Sequence, residues 1–499
     1  MNLAESDDFP GPGCEAIRFF PAIALFYLLV YSAAYTTRYA VTDDYLFLAA
    51  IRHYDSTAIA PLLLEGGRPL LAILALGVAR VVHNLGDLAW VRALGVAGIG
   101  VFGALVFHAF RRERHPLWLA LLAALTVGLL PAFQVFAAWA VCAFYPYAAA
   151  LGGAAFLVIT GAAERAGIVL RTVGATALLT AALAIYQPSA MAFWSVAAIW
   201  ALSRPRLWNR RVIGSAVVAF GCAMLLDFAT SKLLPAVFDL SRGLPRTALT
   251  QSPWHKLVWF VREPLTNAAS LFSIAPSIAG ALVVGGAVII GAFAKYRERG
   301  GDRLFVLALL LAAAYVPNLV VAEDWGSYRT TPGLGGVVLF AFLVLVVGPL
   351  GRRLRARAAF LALPLIVGPL ALSAAANVVQ TYAVPSSGEY LLIRGAVVAA
   401  LKRLPPSGSA AIICISPAEW QDTLSPVSRY DEFGVVSSSV PEVLQAIVGD
   451  IAASAESARE RPRVAFHVIE AGAPLAGCDA RVDVGRLLRD ARPGRGLRK

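Results

Sequence analysis

Phe19-Phe20-Pro21-Ala22-Ile23-Ala24-Leu25-Phe26-Tyr27-Leu28-Leu29-Val30-Tyr31-Ser32-Ala33-Ala34-Tyr35, followed seven residues later by Thr42-Asp43-Asp44-Tyr45, is the stretch from which the fold is read. The apolar run has the length of a helix that crosses a hydrocarbon layer about 30 Å thick. Two adjacent carboxylates at its mouth cannot follow it into lipid, because one Asp at the centre of a span costs roughly 2.5–3.5 kcal/mol. The pair therefore stands in water or in a polar cavity at the membrane surface. That is where a proton-abstracting or cation-binding site would sit, although an isolated acidic pair is also an ordinary solvated loop.

Composition agrees with this reading over the whole chain of 499 residues: 59% are hydrophobic and 15% charged, with a mean hydropathy of +0.69. One soluble core of this length would not bury that much apolar surface, so the chain reads as a polytopic helical membrane protein. The net charge of +12 lies in short clusters between apolar runs. This is the pattern of basic cytoplasmic loops, not of a nucleic-acid-binding face, and no nucleic-acid partner is expected. Residues 1–18 carry Glu5, Asp7, Asp8 and Glu15 against Arg18, so no cleavable signal is read and the first run is expected to stay as an anchor. The cysteines show no metal-ligand spacing.

Apolar runs predict about eleven spans: 19–37, 89–110, 117–134, 147–163, 172–188, 189–203, 212–230, 273–294, 303–321, 333–350 and 358–376. Pro69–Val82 is apolar too. Its uninterrupted part, Pro69 to Ala79, makes only about 16 Å of helix, so 69–86 is read as a helix lying along or dipping into the outer interface, within a first outer loop covering 38–88. With that parity, basic clusters after alternate spans, from Arg111-Arg112-Glu113-Arg114 to Arg352–Arg357, all fall on one face. The positive-inside rule makes this face, and the N-terminus, cytoplasmic.

The opposite face then collects the unusual sequences: Asp43-Asp44, Gly66-Gly67-Arg68-Pro69, Tyr145-Pro146-Tyr147, Tyr186-Gln187-Pro188-Ser189, the loop 231–272 and Glu323-Asp324-Trp325-Gly326-Ser327-Tyr328-Arg329. Residues 377–499 follow on that face. Their higher charge, strand-like runs at 410–416 and 464–470 and helical stretch 440–457 predict a small extracytoplasmic α/β domain after a membrane domain of 1–376. Cys414 and Cys478 both lie in it, where an oxidising compartment permits a disulfide. Tyr430-Asp431-Glu432-Phe433 reads as ordinary structure of this domain.

Chemistry can be assigned to these residues. Asp44 is read as a base, with Asp43 orienting it or helping to hold a divalent ion; no cofactor is otherwise called for. Arg68 and Arg329 can meet a phosphate through paired hydrogen bonds. Lys232, His255 and Lys256 make the loop 231–272 basic, which suits an anionic partner. Tyr145, Trp325 and Tyr328 are either aromatics of the membrane interface or a surface on which a sugar stacks.

An acidic pair just after the first span, Gly67-Arg68-Pro69 closing the first outer loop, Tyr186-Gln187 at an outer helix end and an extracytoplasmic C-terminal part resemble the bacterial O-antigen glucosyltransferase family, within the GT-C superfamily of polytopic glycosyltransferases. The resemblance covers most of the membrane part in layout and about a dozen residues in motif. It implies a sugar donor on polyprenyl phosphate, transfer with inversion at the outer face of a bacterial inner membrane to a glycan or lipid-linked acceptor, and an Asp of the first outer loop as base. It also raises Tyr186 and Gln187 as substrate contacts. A transporter or flippase of lipid-linked sugars, and a glycan polymerase or ligase, remain as alternatives. An Asp44 turned away from any cavity shared with Arg68 and Arg329 would overturn the assignment.

Overall fold

The computed structural model describes residues 12–53, 59–161, 167–204, 209–240, 248–297, 300–351, 356–404, 411–425, 432–456, 464–469 and 477–492. Arg297 is thus the last described residue of its basic cluster, and the tail 493–499 lies outside the described residues. The chain is mostly helical. Among the described residues seven helices are long and apolar enough to cross a membrane: Leu88–Arg112, Ala140–Ile159, Gly167–Ile185, Arg210–Val237, Ile278–Tyr296, Pro332–Gly351 and Arg357–Arg403. The expected span 117–134 is a broken one: Leu117–Leu129 and Pro131–Ala138 meet at 57°. The break is at Leu130, which precedes a proline and takes an extended conformation (φ −60°, ψ 147°), as pre-proline residues favour.

Three of the eleven expected spans are not in this set. The first run forms Pro12–Val30 and Ser32–Thr36, with Glu15 and Arg18 in the early turns. Residues 189–203 form the 12-residue helix Ala192–Ser203, and 303–321 divide into Gly300–Ala313 and Val316–Val320 beside Pro317. The helix expected over 69–86 is separate from the long ones and ends early: Pro69–Ala79 has 11 residues.

Packing begins with Pro12–Val30 against Leu88–Arg112. Their backbones come so close that a Cβ on Gly100 would sit 2.8 Å from Ala24 Cα, which only glycine allows. A row of buried tyrosines then fastens this corner to the broken span: Tyr27 Oη donates to Ala124 O at 2.5 Å, Tyr31 Oη to Gly128 O at 2.6 Å and Tyr39 Oη to Ala138 O at 2.8 Å. Each bond occupies a carbonyl near the break, where helical partners run out.

The C-terminal part contains a parallel sheet of β1 (Ala411–Ser416), β2 (Val464–Val468) and β3 (Ala480–Asp483), in the order β2-β1-β3. The central strand is the apolar Ala-Ile-Ile-Cys-Ile-Ser, as expected for a strand covered on both faces. Cys414 and Cys478 are joined by a disulfide, their Cα atoms 5.7 Å apart. Helix Pro441–Glu456 packs Val443, Leu444, Ile447, Val448 and Ile451 into a core that also takes Tyr45 and Leu48 of helix Thr42–His53 and Ile393 and Val397 of the long helix. That long helix, Arg357–Arg403, runs through the expected domain boundary at 376/377, with one wide turn at Val379–Ala383. The C-terminal part is therefore seated directly on helix Thr42–His53, within the loop 38–88.

Candidate functional site

The acidic pair opens helix Thr42–His53, where the positive end of the helix dipole favours carboxylates. Successive residues on a helix point about 100° apart, and the two side chains accordingly separate. Asp44 turns inward. Its Oδ1 accepts from Val141 N–H at 3.0 Å and its Oδ2 from Val41 N–H at 3.3 Å, while Arg92 Nη2 lies 3.2 Å from Oδ2. Both side chains of this ion pair are wholly buried. Arg92 also donates to Ala34 O and Tyr39 O and stacks over the Tyr39 ring at 3.8 Å. Burial pushes the Asp44 carboxyl above its ordinary range; Arg92 and the two backbone N–H groups oppose that push without cancelling it.

Asp43 turns outward into a cavity of about 730 Å³ lined by Thr42, Asp43, Trp139, Trp325, Arg329, Trp420, Glu432 and Val435. Its Oδ2 lies 3.2 Å from Arg329 Nη1. On the guanidinium's other edge Glu432 Oε1 lies 2.6 Å from Nε, and Glu432 Oε2 accepts from the Arg329 backbone N–H at 3.1 Å. The rings of Trp139 and Trp325 each stand 5.1 Å from Arg329 Cζ. Burial works against the charge on Arg329, but Glu432 and the other nearby groups, Asp43 among them, outweigh it and push its pKa up. Two carboxylates and one guanidinium thus meet under three indoles.

A second group sits close by. Tyr145 and Tyr186 stack face to face at 3.8 Å between centroids, and Arg68 lies 4.9 Å from the Tyr186 ring with Nη1 3.5 Å from Tyr145 Oη. Gln187 Nε2 donates to Gly67 O at 2.8 Å. Gly67 has φ +70°, which frees its carbonyl for that bond at no steric cost to glycine. Tyr186 feels the charges of both Arg329 and Arg68, so the two groups are electrostatic neighbours, although Arg68 does not line the cavity. Gln187 also bonds Asp227, a carboxylate within Arg210–Val237.

The remaining expected contacts are elsewhere. Lys256 is buried, bonded to Asp324 Oδ1 at 2.7 Å and Glu323 O at 2.6 Å, and His255 Nε2 lies 2.7 Å from Asp324 Oδ2. Burial is the largest single influence on Asp324 and raises its pKa, but the hydrogen bonds and charges of Lys256 and His255 together outweigh it and hold the pKa low. The anion these cations meet is therefore the chain's own. Tyr328 is buried, with its ring 5.4 Å from Phe433. Lys232 reaches over Phe228 of its own helix. Of the expected substrate contacts only Trp325 and Arg329 line the cavity.

This placement corrects two expectations. Asp44 is not positioned as a base: both of its oxygens are occupied inside protein, and it pins the loop to Leu88–Arg112 instead. It faces away from the cavity that Arg329 lines, which is the condition set above for overturning the assignment, so the assignment in the form that rested on Asp44 falls. Nor do Asp43 and Asp44 converge on one point where they would share a divalent ion. Glu432 was read as ordinary structure and is part of the site; nothing in Tyr430-Asp431-Glu432-Phe433 distinguishes it, because its partner lies 103 residues away in sequence. Thr42 and Trp139 also line the cavity; both lie in stretches that stand out in the sequence, the acidic motif and the aromatic turn after the broken span, but no role was read for either. Trp420 and Val435 are further lining residues that motif reading passed over. No protein-family model and no curated protein matches the chain.

Proposed function

We propose that the protein is an inverting glycosyltransferase of the GT-C kind, similar to the bacterial O-antigen glucosyltransferases, which moves a sugar from a polyprenyl-phosphate carrier to a glycan or lipid-linked acceptor. In this reading the chain has about eleven spans, an N-terminus in the cytoplasm and its cavity at the outer face of a bacterial inner membrane. The observation that supports it is the meeting of Asp43, Arg329 and Glu432 beneath Trp139, Trp325 and Trp420. Indole faces suit the apolar faces of a sugar ring, and the charged groups suit its hydroxyls.

Asp43 takes the role of base in place of Asp44. The acceptor hydroxyl gives its proton to the Asp43 carboxylate as its oxygen attacks the anomeric carbon from the side opposite the lipid phosphate. The bond from that carbon to the phosphate oxygen breaks and the electron pair leaves with the phosphate. Arg329 holds Asp43 in place, and the leaving charge is assigned to Arg68, which lies beside Tyr145 and Tyr186 and neighbours the site electrostatically without lining the cavity.

The test is incubation of the purified protein in lipid nanodiscs with a panel of radiolabelled polyprenyl-phosphate hexoses and pentoses and a lipid-linked glycan acceptor, with and without chelator. Label in the acceptor supports the reading, and no transfer from any donor removes it. Asp227, a carboxylate inside a candidate span that Gln187 bonds and whose buried Oδ1 has no hydrogen-bond partner among the described residues, favours the transporter as second reading. Translocation of the same donors across proteoliposomes without cleavage would select it.

A further inference from the structure

Helix Pro253–Arg262 carries two unlike faces. Lys256, Trp259 and Phe260 are buried, with Trp259 and Phe260 against Tyr315 at 6.0 and 5.7 Å. Trp254, Leu257 and Val261, at i, i+3 and i+7 on the other side, are 74%, 50% and 51% exposed. Beside it the bridge from Thr250 N–H to Val320 O leaves Leu249 and Val320 exposed as well. A stripe headed by Trp and ended by Arg262 is the composition of a helix lying at a lipid–water boundary. Its setting agrees: Pro253 comes 16 residues after Val237 closes one candidate span, and Ile278 opens the next 16 residues after Arg262. Both neighbouring spans present exposed apolar faces, Leu225, Leu233 and Val237 on one and Leu282 and Ile290 on the other, so the stripe continues a lipid-facing surface.

The buried face is tied to the cavity wall. Lys256 and His255 both hold Asp324, and Asn267 Nδ2 reaches Gly326 O at 3.5 Å. The loop so held carries Trp325 and Arg329 into the cavity.

We propose that Pro253–Arg262 lies in the boundary between headgroups and acyl chains of the bilayer, with Trp254, Leu257 and Val261 inward, and that this seat holds the 323–329 wall of the cavity. The inference concerns the membrane and stands whether or not the transferase reading does. Its test is a nitroxide on Leu257→Cys, and separately on Val261→Cys, in protein whose Cys14 and Cys222 are replaced by Ser, reconstituted in nanodiscs of phosphatidylethanolamine and phosphatidylglycerol. The label should collide with oxygen and be protected from a water-soluble nickel chelate, as a label on lipid-facing Leu226→Cys is. A label on exposed Glu442→Cys should show the reverse. Nickel-accessible labels on the helix would overturn the proposal, and labels shielded from both reagents would assign the stripe to a protein partner or a second copy instead. For the coupling, a label on Glu323→Cys should become more mobile when Leu257 and Val261 are both changed to Lys; unchanged mobility would refute the link to the wall.

Discussion

Arg329 Nη1 stands 3.2 Å from Asp43 Oδ2, a contact that joins the loop after the first apolar run to a loop 286 residues further along the chain. Neither side chain is held by its own element. The guanidinium is aimed by Glu432 from one side and flanked by two indoles, and Asp43 is 43% exposed, so the carboxylate keeps an open edge toward the cavity. A base needs that open edge.

Asp43→Asn should therefore lower transfer about 100- to 10,000-fold, the usual contribution of a positioned base, with little change in thermal stability. Radiolabel transfer and the unfolding temperature, measured on the same nanodisc preparation, check both halves. Retained turnover would exclude Asp43 as base.

Arg92→Met should act on the fold instead. It leaves the Asp44 carboxylate buried with only two backbone donors, and breaking a buried ion pair from one side costs about 3–5 kcal/mol. The expected result is a markedly lower unfolding temperature and folded yield, with whatever protein folds still turning over. Arg92→Met together with Asp44→Leu removes the orphaned charge and should recover part of the loss, which a thermal unfolding series on the single and double variants would show.

The difference between Asp43 and Asp44 marks how far sequence reading reaches. Adjacent carboxylates after an apolar run announce a polar place at a membrane edge, and the helical membrane class, a short helix after Pro69 and the C-terminal strands were legible in the same way. The pairing of Cys414 with Cys478 was not, because sequence does not carry the distance between them. Which of two neighbours faces a cavity depends on Arg92, a cation inside an apolar helix, and on Val141 at the far side of a broken span. Periodicity carries no such information. Likewise Lys256 and His255 looked like cations awaiting a ligand because Asp324 is 68 residues from one and 69 from the other in sequence, and local charge counts cannot pair residues across that separation. Helix breaks before Pro131 and beside Pro317 were visible as prolines, yet an apolar count over 117–134 or 303–321 runs straight across them.

Glu432→Gln tests whether the C-terminal part contributes chemistry or only a wall. Hydrogen bonds to a charged group contribute about 1.5–3 kcal/mol, so losing the aim of Arg329 should lower kcat/KM roughly 10- to 100-fold. The fall should sit mainly in kcat, because the cavity itself is intact, and Glu432→Asp should recover part of it. A wall role alone would instead leave kcat/KM unchanged in Glu432→Gln. Arg329→Lys should not substitute, since an ammonium cannot bridge Asp43 and Glu432 with one planar fork.

Acid should release the loop that carries Trp325 and Arg329. Burial is the largest single effect on Asp324 and raises its pKa, but the hydrogen bonds to and charges of Lys256 and His255 together outweigh it, so the pKa in the folded protein is held low. A carboxylate with a depressed folded pKa adds stability that is present above its unfolded value, 3.8, and is lost as pH falls through the folded value. The contribution is present at neutral pH and down to about pH 5, above the unfolded value. Below about pH 4 it decays. Asp324→Asn lacks it at every pH. The unfolding temperature of the variant should thus lie below that of the unaltered protein at neutral pH, and the gap should narrow as pH is lowered past 4. A gap that stayed constant down to about pH 3 would mean that Asp324 holds the loop by shape and not by charge, and that His255 and Lys256 are free to meet an anion after all.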